Sequence, residues 1–248
     1  MKSEKLFSGR NGENYLFPFI MVTSLFLMWG FAHSLLDVLN SHFQEILNIS
    51  KAKSGLVQFS LYGGYFVMGI PAGLFIKKFG YKAGIVTGLL FFRLGAFLFS
   101  PATPFITFPS FLYVLFVIAC GLTCLETAAN PYTTVLGPKH SAARRINFAQ
   151  SFNGLGWVLG PLLGGALIFG SGDPFAVMAR PYMIISLVVF IMALVFIKTP
   201  LPVISNQVMT TGQQAQKGSY RDLPKHHLLV FAVVAQFFYV AAQTGIGS

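Results

Sequence analysis

An all-α membrane protein is the fold class that the sequence predicts: a bundle of six transmembrane helices followed by the start of a seventh. Three observations point there. Of the 248 residues, 54% are hydrophobic and only 10% charged, against about 25% charged in an ordinary soluble domain. The mean hydropathy is +0.67. Long runs free of formal charge recur along the chain, and crossing a bilayer as a helix takes about 20 apolar residues. These runs are continuous rather than alternating, which excludes a barrel. A helix is then the form that satisfies its own backbone in lipid.

Tyr15 to Leu36 has 22 residues without a formal charge and forms span 1. Its apolar core is too long for a cleavable signal and no small-x-small pattern follows, so it is expected to stay in the mature protein. Ser54 to Ile76, 23 residues, forms span 2. Span 3 is Lys82 to Ser100, interrupted by Arg93, and span 4 is Phe108 to Asn130, interrupted by Glu126. Span 5 is Ile146 to Gly172, with 27 uncharged residues. Span 6, Pro181 to Ile197, is short but sufficient, and Leu228 to Ser248 begins span 7. Pro101, Pro104 and Pro109 mark the outer turn between spans 3 and 4. The domain reading is a six-helix bundle over 1–198, a Gln-, Ser-, Thr- and Gly-rich linker loop over 199–227, and a truncated seventh helix over 228–248.

The net charge of +10 is a topological signal rather than a nucleic-acid footprint. Three basic residues precede span 1 (Lys2, Lys5, Arg10), three lie between spans 2 and 3 (Lys77, Lys78, Lys82), three between spans 4 and 5 (Lys139, Arg144, Arg145), and four follow span 6 (Lys198, Lys217, Arg221, Lys225). The opposite side holds Lys51, Lys53 and Arg180. Basic residues gather on the cytoplasmic side, so the N-terminus and the long loop are expected there, in a bacterial inner membrane.

Cys120 and Cys124 are four apart on one helix. Two thiols do not make a metal site, and a disulfide along one helix face is geometrically poor, so they read as small packing residues. Gly156, Gly160 and Gly164 in span 5, and Gly69 and Gly73 in span 2, are spaced as small-residue faces for close helix packing. The chain has no metal cluster, phosphate loop or nucleophile with a paired base, so neither catalysis nor a cofactor is expected.

The chemistry concentrates in a few polar residues within the spans. Asp37 and Glu126 are the two carboxylates there. An ionisable residue inside a span marks a functional site by default, and a carboxyl group that spends part of a cycle neutral can carry a proton. Asp37, near the outer end of span 1, has the interface as its alternative reading. For Glu126 the alternative reading is an ion pair with Arg93. Arg93 has three readings: it pairs with a carboxylate, it snorkels, or it marks a damaged sequence. Gln150 and Asn153 share a helix face and can donate to and accept from sugar hydroxyls, or act as interhelical polar glue. Gln236, Tyr239 and Gln243 form a similar stripe on span 7. His33 stands one turn before Asp37 and reads as a cavity-facing polar residue.

Six spans, a long inner loop and a new span are the organisation of one half of a two-half transporter. GLFIKKFGYK, residues 73–82, resembles the major facilitator loop motif through Gly73, Lys78, Gly80 and Lys82, with Lys77 in place of the acidic residue and Tyr81 in place of a basic one. GLTCLETAANPYTTVLGP (121–138), KKFGYKAGIVTGL, NFAQSFN, RPYMII and AQFFYVAAQT carry a more specific resemblance, from about Phe19 to Thr244, to the L-fucose/proton symporter family within that superfamily. The resemblance implies twelve spans in two halves, and uptake of a monosaccharide driven by protons. Asp37 and Glu126 match the family's two functional carboxylates, and Gln150 and Asn153 its cavity amides. Arg93 stands where the family has an uncharged residue. Related carriers take glucose, galactose or N-acetylglucosamine. The absent second half is expected to be needed for activity, and a non-transporting membrane sugar sensor or scaffold is the rival reading.

Overall fold

The computed structural model describes residues 14–46, 51–99, 107–168, 174–202 and 226–247, and these are helical almost throughout. Among the described residues the helices are α1 (Leu16–Ile46), α2 (Lys51–Leu98), α3 (Phe108–Val135), α4 (Ala142–Ile168), α5 (Pro174–Lys198) and α6 (His227–Gly247), with a 3-10 turn at Lys139–Ser141 before α4. Pro101 and Pro104 lie outside the described residues. Two compact units result, Met1–Val203 and Ile204–Ser248.

Spans 2 and 3, expected as separate helices, run on as α2. Its 48 residues are interrupted at Gly80 by a non-helical backbone, φ 85° and ψ 171°. A straight helix of this length would reach about 72 Å, more than twice the ~30 Å hydrocarbon core. Instead the chain folds back at Gly80, where only glycine adopts this conformation without steric cost. Gly64 on the first arm abuts Ala119 of α3, while Gly88 on the second abuts Gly121 and Leu125. Residues 24 apart in α2 thus stand at nearly the same level of α3. The basic loop of the sequence reading is a single-residue break rather than an extended connection.

Among the described residues, Leu16–Leu35, Gly55–Leu98, Phe108–Val135 and Arg180–Lys198 are apolar enough over sufficient length to cross a membrane, the second stretch covering both arms of α2. The expected fifth span coincides with α4 from Ile146 to Ile168, residues 169–172 lying outside the described residues, and it is more polar because Asn147, Gln150, Ser151 and Asn153 interrupt it. Within the first unit α2 packs mainly on α3 and α5, and α1 on α4. Phe26, Leu35, Ile85, Leu89, Ile118 and Phe196 are among its fully buried side chains. Cys120 and Cys124 are free and buried.

The α1–α4 contact is made by backbone. A Cβ at Gly30 would run into the Asn153 carbonyl, one at Gly156 into the Leu27 carbonyl, and one at Gly160 into Ser34 Oγ. Ser34 Oγ donates to the Gly156 carbonyl at 3.3 Å. The glycine face expected on span 5 is therefore a packing face. The one expected on span 2 is not: Gly69 and Gly73 meet nothing within 4 Å, and Gly64 makes the approach to α3 instead. We expect Gly156→Val to destabilise the detergent-solubilised protein by about 1–3 kcal/mol, the usual cost of overpacking. Gly69→Ala should leave the thermal midpoint of this chain unchanged or slightly raised. Equal midpoints for wild type and Gly156→Val would refute the contact.

Two basic side chains close helix ends. Lys82 Nζ donates to the carbonyls of Ile197 at 3.0 Å and Thr199 at 2.9 Å, at the end of α5. Arg145, fully buried, donates to the Thr133 and Thr134 carbonyls in the last turn of α3, to the Pro138 carbonyl and to Ser141 Oγ. Cations are favoured at helix C-termini, where carbonyls lack partners. The first residues of the expected linker are tied down as well: Leu201 is buried, and Tyr132 Oη donates to the Pro202 carbonyl at 3.1 Å. Residues 203–225 of that linker lie outside the described residues.

Candidate functional site

Helical spacing lines up a polar set on the first unit. On α1, Trp29, His33 and Asp37 follow at four-residue steps, and on the first arm of α2 so do Gln58 and Tyr62, with Tyr65 three further on. Such spacing places them on one face of each helix. Glu126 and Asn130 stand one turn apart on α3, and Gln150, Asn153 and Trp157 share a stripe on α4.

The core of the set is a chain of hydrogen bonds across three helices. Tyr65 Oη donates to Glu126 Oε1 at 2.6 Å, and His33 Nε2 lies 2.8 Å from the same hydroxyl oxygen. The first distance is that of a strong charge-assisted bond. The His33 ring lies nearly parallel to Trp157, centroids 6.1 Å apart and planes 22° apart. It meets Trp29 edge-on. Trp157 is 41% exposed, so one aromatic surface remains open beside the histidine. Asp37, one turn along α1, is exposed, with Gln58 and Tyr62 of α2 as its polar neighbours.

The two amides differ in what they leave free. Gln150 is exposed and donates to Asn130 Oδ1 at a long 3.4 Å. Asn153 Nδ2 donates to the Phe26 carbonyl at 3.3 Å, so part of its capacity holds α4 to α1. On α6, a unit of its own, Gln236 is exposed and Tyr239 is 63% exposed. Gln243 is helical, but its side chain lies outside the described residues.

Arg93 does not pair with Glu126. Its guanidinium lies over the Phe190 ring of α5, 3.6 Å from the centroid, and its carbonyl accepts from Ser186 Oγ. The planar, weakly hydrated guanidinium suits an aromatic face. Among the described residues no salt bridge reaches Glu126, whose bonding partner is Tyr65. Among the described residues there is also no group of three His, Cys, Asp or Glu side chains that could hold a metal ion.

The structure thus joins His33 to Glu126 through Tyr65, and places Asp37 on the same face of α1. Gln58, Tyr62, Tyr65 and Trp157 were not singled out from the sequence. The spacing of Gln58, Tyr62 and Tyr65 was the available signal, a polar stripe in an otherwise apolar run.

The profile of the Major Facilitator Superfamily matches residues 19–247. The L-fucose-proton symporter of Escherichia coli K12 is 39% identical over 95% of this chain and 59% of its own length. A glucose/galactose transporter of Brucella abortus is 35% identical over 95% of this chain and 58% of its own. A crystal structure of the E. coli fucose:proton symporter superposes with a TM-score of 0.75 at 38% identity, covering 93% of this chain and 60% of that one. The inward-open E. coli xylose transporter, at 15% identity and a TM-score of 0.66, shares the fold alone. The chain spans about three-fifths of the length of these curated relatives.

Proposed function

The chain belongs to the Major Facilitator Superfamily, and from that premise we propose that it forms the first half of a proton-coupled monosaccharide symporter, with L-fucose the leading substrate. The supporting observation is Glu126. It stands deep in α3, bonded to a tyrosine rather than to a cation, and so is free to take and release a proton. A carboxylate held in an ion pair would serve structure instead.

In this reading Glu126 binds a proton from outside, its neutral form favours sugar, and the loaded carrier turns inward. Sugar hydroxyls meet Asp37, Gln150, Asn153 and His33, while Gln236, Tyr239 and Gln243 contribute from the seventh span. Asp37 also exchanges protons. No bond is made or broken, so no catalytic group or cofactor is needed. The bundle over 1–198, the linker over 199–227 and the seventh span over 228–248 keep the roles of a first half. Activity requires the second half, because alternating access rocks two bundles about a shared site.

The test is sugar uptake by proteoliposomes containing the full-length protein. An inward proton gradient should drive accumulation of L-fucose, with D-galactose and D-glucose assayed beside it because the B. abortus relative bears their names. Binding without accumulation would favour a sensor, and no binding would sink the reading. Proteoliposomes holding residues 1–248 alone should not accumulate sugar.

Orientation is part of the proposal: N-terminus and linker lie in the cytoplasm of a bacterial inner membrane, on the side with thirteen of the seventeen basic residues. Reporter fusions after Lys5 and after Gln213 should both give cytoplasmic signals. A periplasmic signal from either would overturn the scheme.

A further inference from the structure

We propose that Tyr65 is the coupling residue of this half: its single hydroxyl proton converts the charge state of Glu126 into a change in what His33 offers a sugar. The proposal rests on Glu126 as the proton carrier and goes beyond it by stating how the sugar side learns that the proton has bound.

Counting donors fixes where each proton points. A tyrosine hydroxyl has one proton and can also accept. Tyr65 Oη stands 2.6 Å from Glu126 Oε1 and 2.8 Å from His33 Nε2. An ionised carboxylate only accepts, so the Tyr65 proton must point at Glu126. The hydroxyl oxygen then accepts from His33, which requires a proton on Nε2. A neutral His33 in that tautomer has a bare Nδ1, an acceptor. When Glu126 takes up a proton it becomes a donor. Its O–H can now point at Tyr65, and the Tyr65 O–H can point at Nε2, which must be bare. His33 then carries its proton on Nδ1 and presents a donor. The balance is simple: one proton is added to the carboxylate, Tyr65 keeps one proton throughout, and neutral His33 moves one proton from Nε2 to Nδ1 by exchange with water. A polyhydroxy ligand beside His33 therefore meets opposite polarity in the two states.

The placement suits that role. Among the described residues, the titratable groups around the hydroxyl are His33 of α1, Tyr62 of α2 itself and Glu126 of α3, with Asp37 of α1 beyond Tyr62; α1 adds the uncharged Trp29 and α4 the uncharged Trp157. The histidine ring, flanked by Trp157 and Trp29, is held in one orientation, so a tautomer change is not lost to ring rotation.

The experiment measures L-fucose binding to the full-length protein by calorimetry across a pH series, for wild type, Tyr65→Phe and Glu126→Gln, with D-galactose and D-glucose as substitute probes. If one proton is taken up with the sugar, the wild-type Kd rises by up to about tenfold per pH unit once Glu126 is ionised. Tyr65→Phe should flatten that dependence to within about twofold over the same range, as should Glu126→Gln. A merely structural role would weaken binding at every pH and leave the slope, and that result would overturn the proposal. So would a wild-type profile in Tyr65→Phe while Glu126→Gln is flat, an outcome that leaves Glu126 standing as carrier. A slope that persists in Glu126→Gln and is removed by Asp37→Asn would place the carrier at Asp37 and remove the carrier reading of Glu126, and the coupling role with it, as would no slope in wild type. Failure of all three sugars to bind wild type would do the same. Should Tyr65→Phe not fold, His33→Phe keeps a stacked ring without Nε2 and should also be flat. A wild-type slope in that variant, or misfolding of both, would overturn the proposal.

Discussion

In the two-half symporter proposed above, Glu126→Gln should abolish proton-driven sugar accumulation while the protein still folds. Glutamine keeps the size of the side chain and can still accept from Tyr65 Oη, which lies 2.6 Å from the carboxylate, but it cannot titrate. A pH difference of one unit stores about 1.4 kcal/mol per proton, enough for a tenfold concentration ratio at one proton per sugar. The variant should therefore fall from a ratio near ten to a ratio of one. Sugar-for-sugar exchange, which needs no net proton movement, should survive in reduced form. Arg93→Leu is the matching control. Because the guanidinium sits on Phe190, its loss should cost only about 0.5–1 kcal/mol of stability and leave accumulation in place. Accumulation by Glu126→Gln at the wild-type ratio would refute the carrier, and collapse of coupling in Arg93→Leu would restore a functional link between the two.

The second large effect is structural. Arg145→Leu should destabilise the protein by about 3 kcal/mol or more, since hydrogen bonds from a charged donor contribute roughly 1.5–3 kcal/mol each and do not add fully. Arg145 is fully buried. It holds the Thr134 carbonyl at 2.6 Å, Thr133 at 3.2 Å, Pro138 at 3.1 Å and Ser141 Oγ at 2.6 Å. Leucine would fill part of the space and strand those carbonyls away from water. Lysine keeps the charge but not the planar fork, and should recover little. The adjacent Arg144 is exposed, so Arg144→Leu should stay within about 0.5 kcal/mol. Thermal unfolding in detergent measures all three. Indistinguishable midpoints for Arg145→Leu and Arg144→Leu would sink the argument.

These two arginines show where sequence reading stops. Both counted equally toward the charge asymmetry that gave the topology, because composition registers charge without burial. One caps α3 and the other faces outward, a distinction that depends on how α3 and α4 meet. The helices themselves were legible, since length and apolarity set a span before any packing is known. The α4 glycines were legible too, because four-residue spacing is a property of one helix. Gly69 and Gly73 have the same spacing and no neighbour, so the pattern permits close packing without locating a partner. Glu126 stood out as a charge among apolar residues. Tyr65 did not, because a tyrosine in an apolar span reads as bulk until the distances to Glu126 and His33 are known. Arg93 left three readings open, and only the position of Phe190 on another helix separates them.

The pairing of α1 with α4 also bears on how the bundle is made. Ser34 and the Gly156 carbonyl it bonds are 122 residues apart, whereas α2 and α3 are consecutive neighbours. At roughly 5–20 residues per second of synthesis, α1 emerges on the order of 6–24 s before its partner. During that interval the glycine notch at Gly30, along with His33, has no α4 to cover it, so α1 waits longer for its main partner than α2 does for α3. A slow ribosome prolongs its exposure, and a nascent chain arrested before residue 156 should be more readily extracted or degraded than one arrested after Ile168, the end of α4.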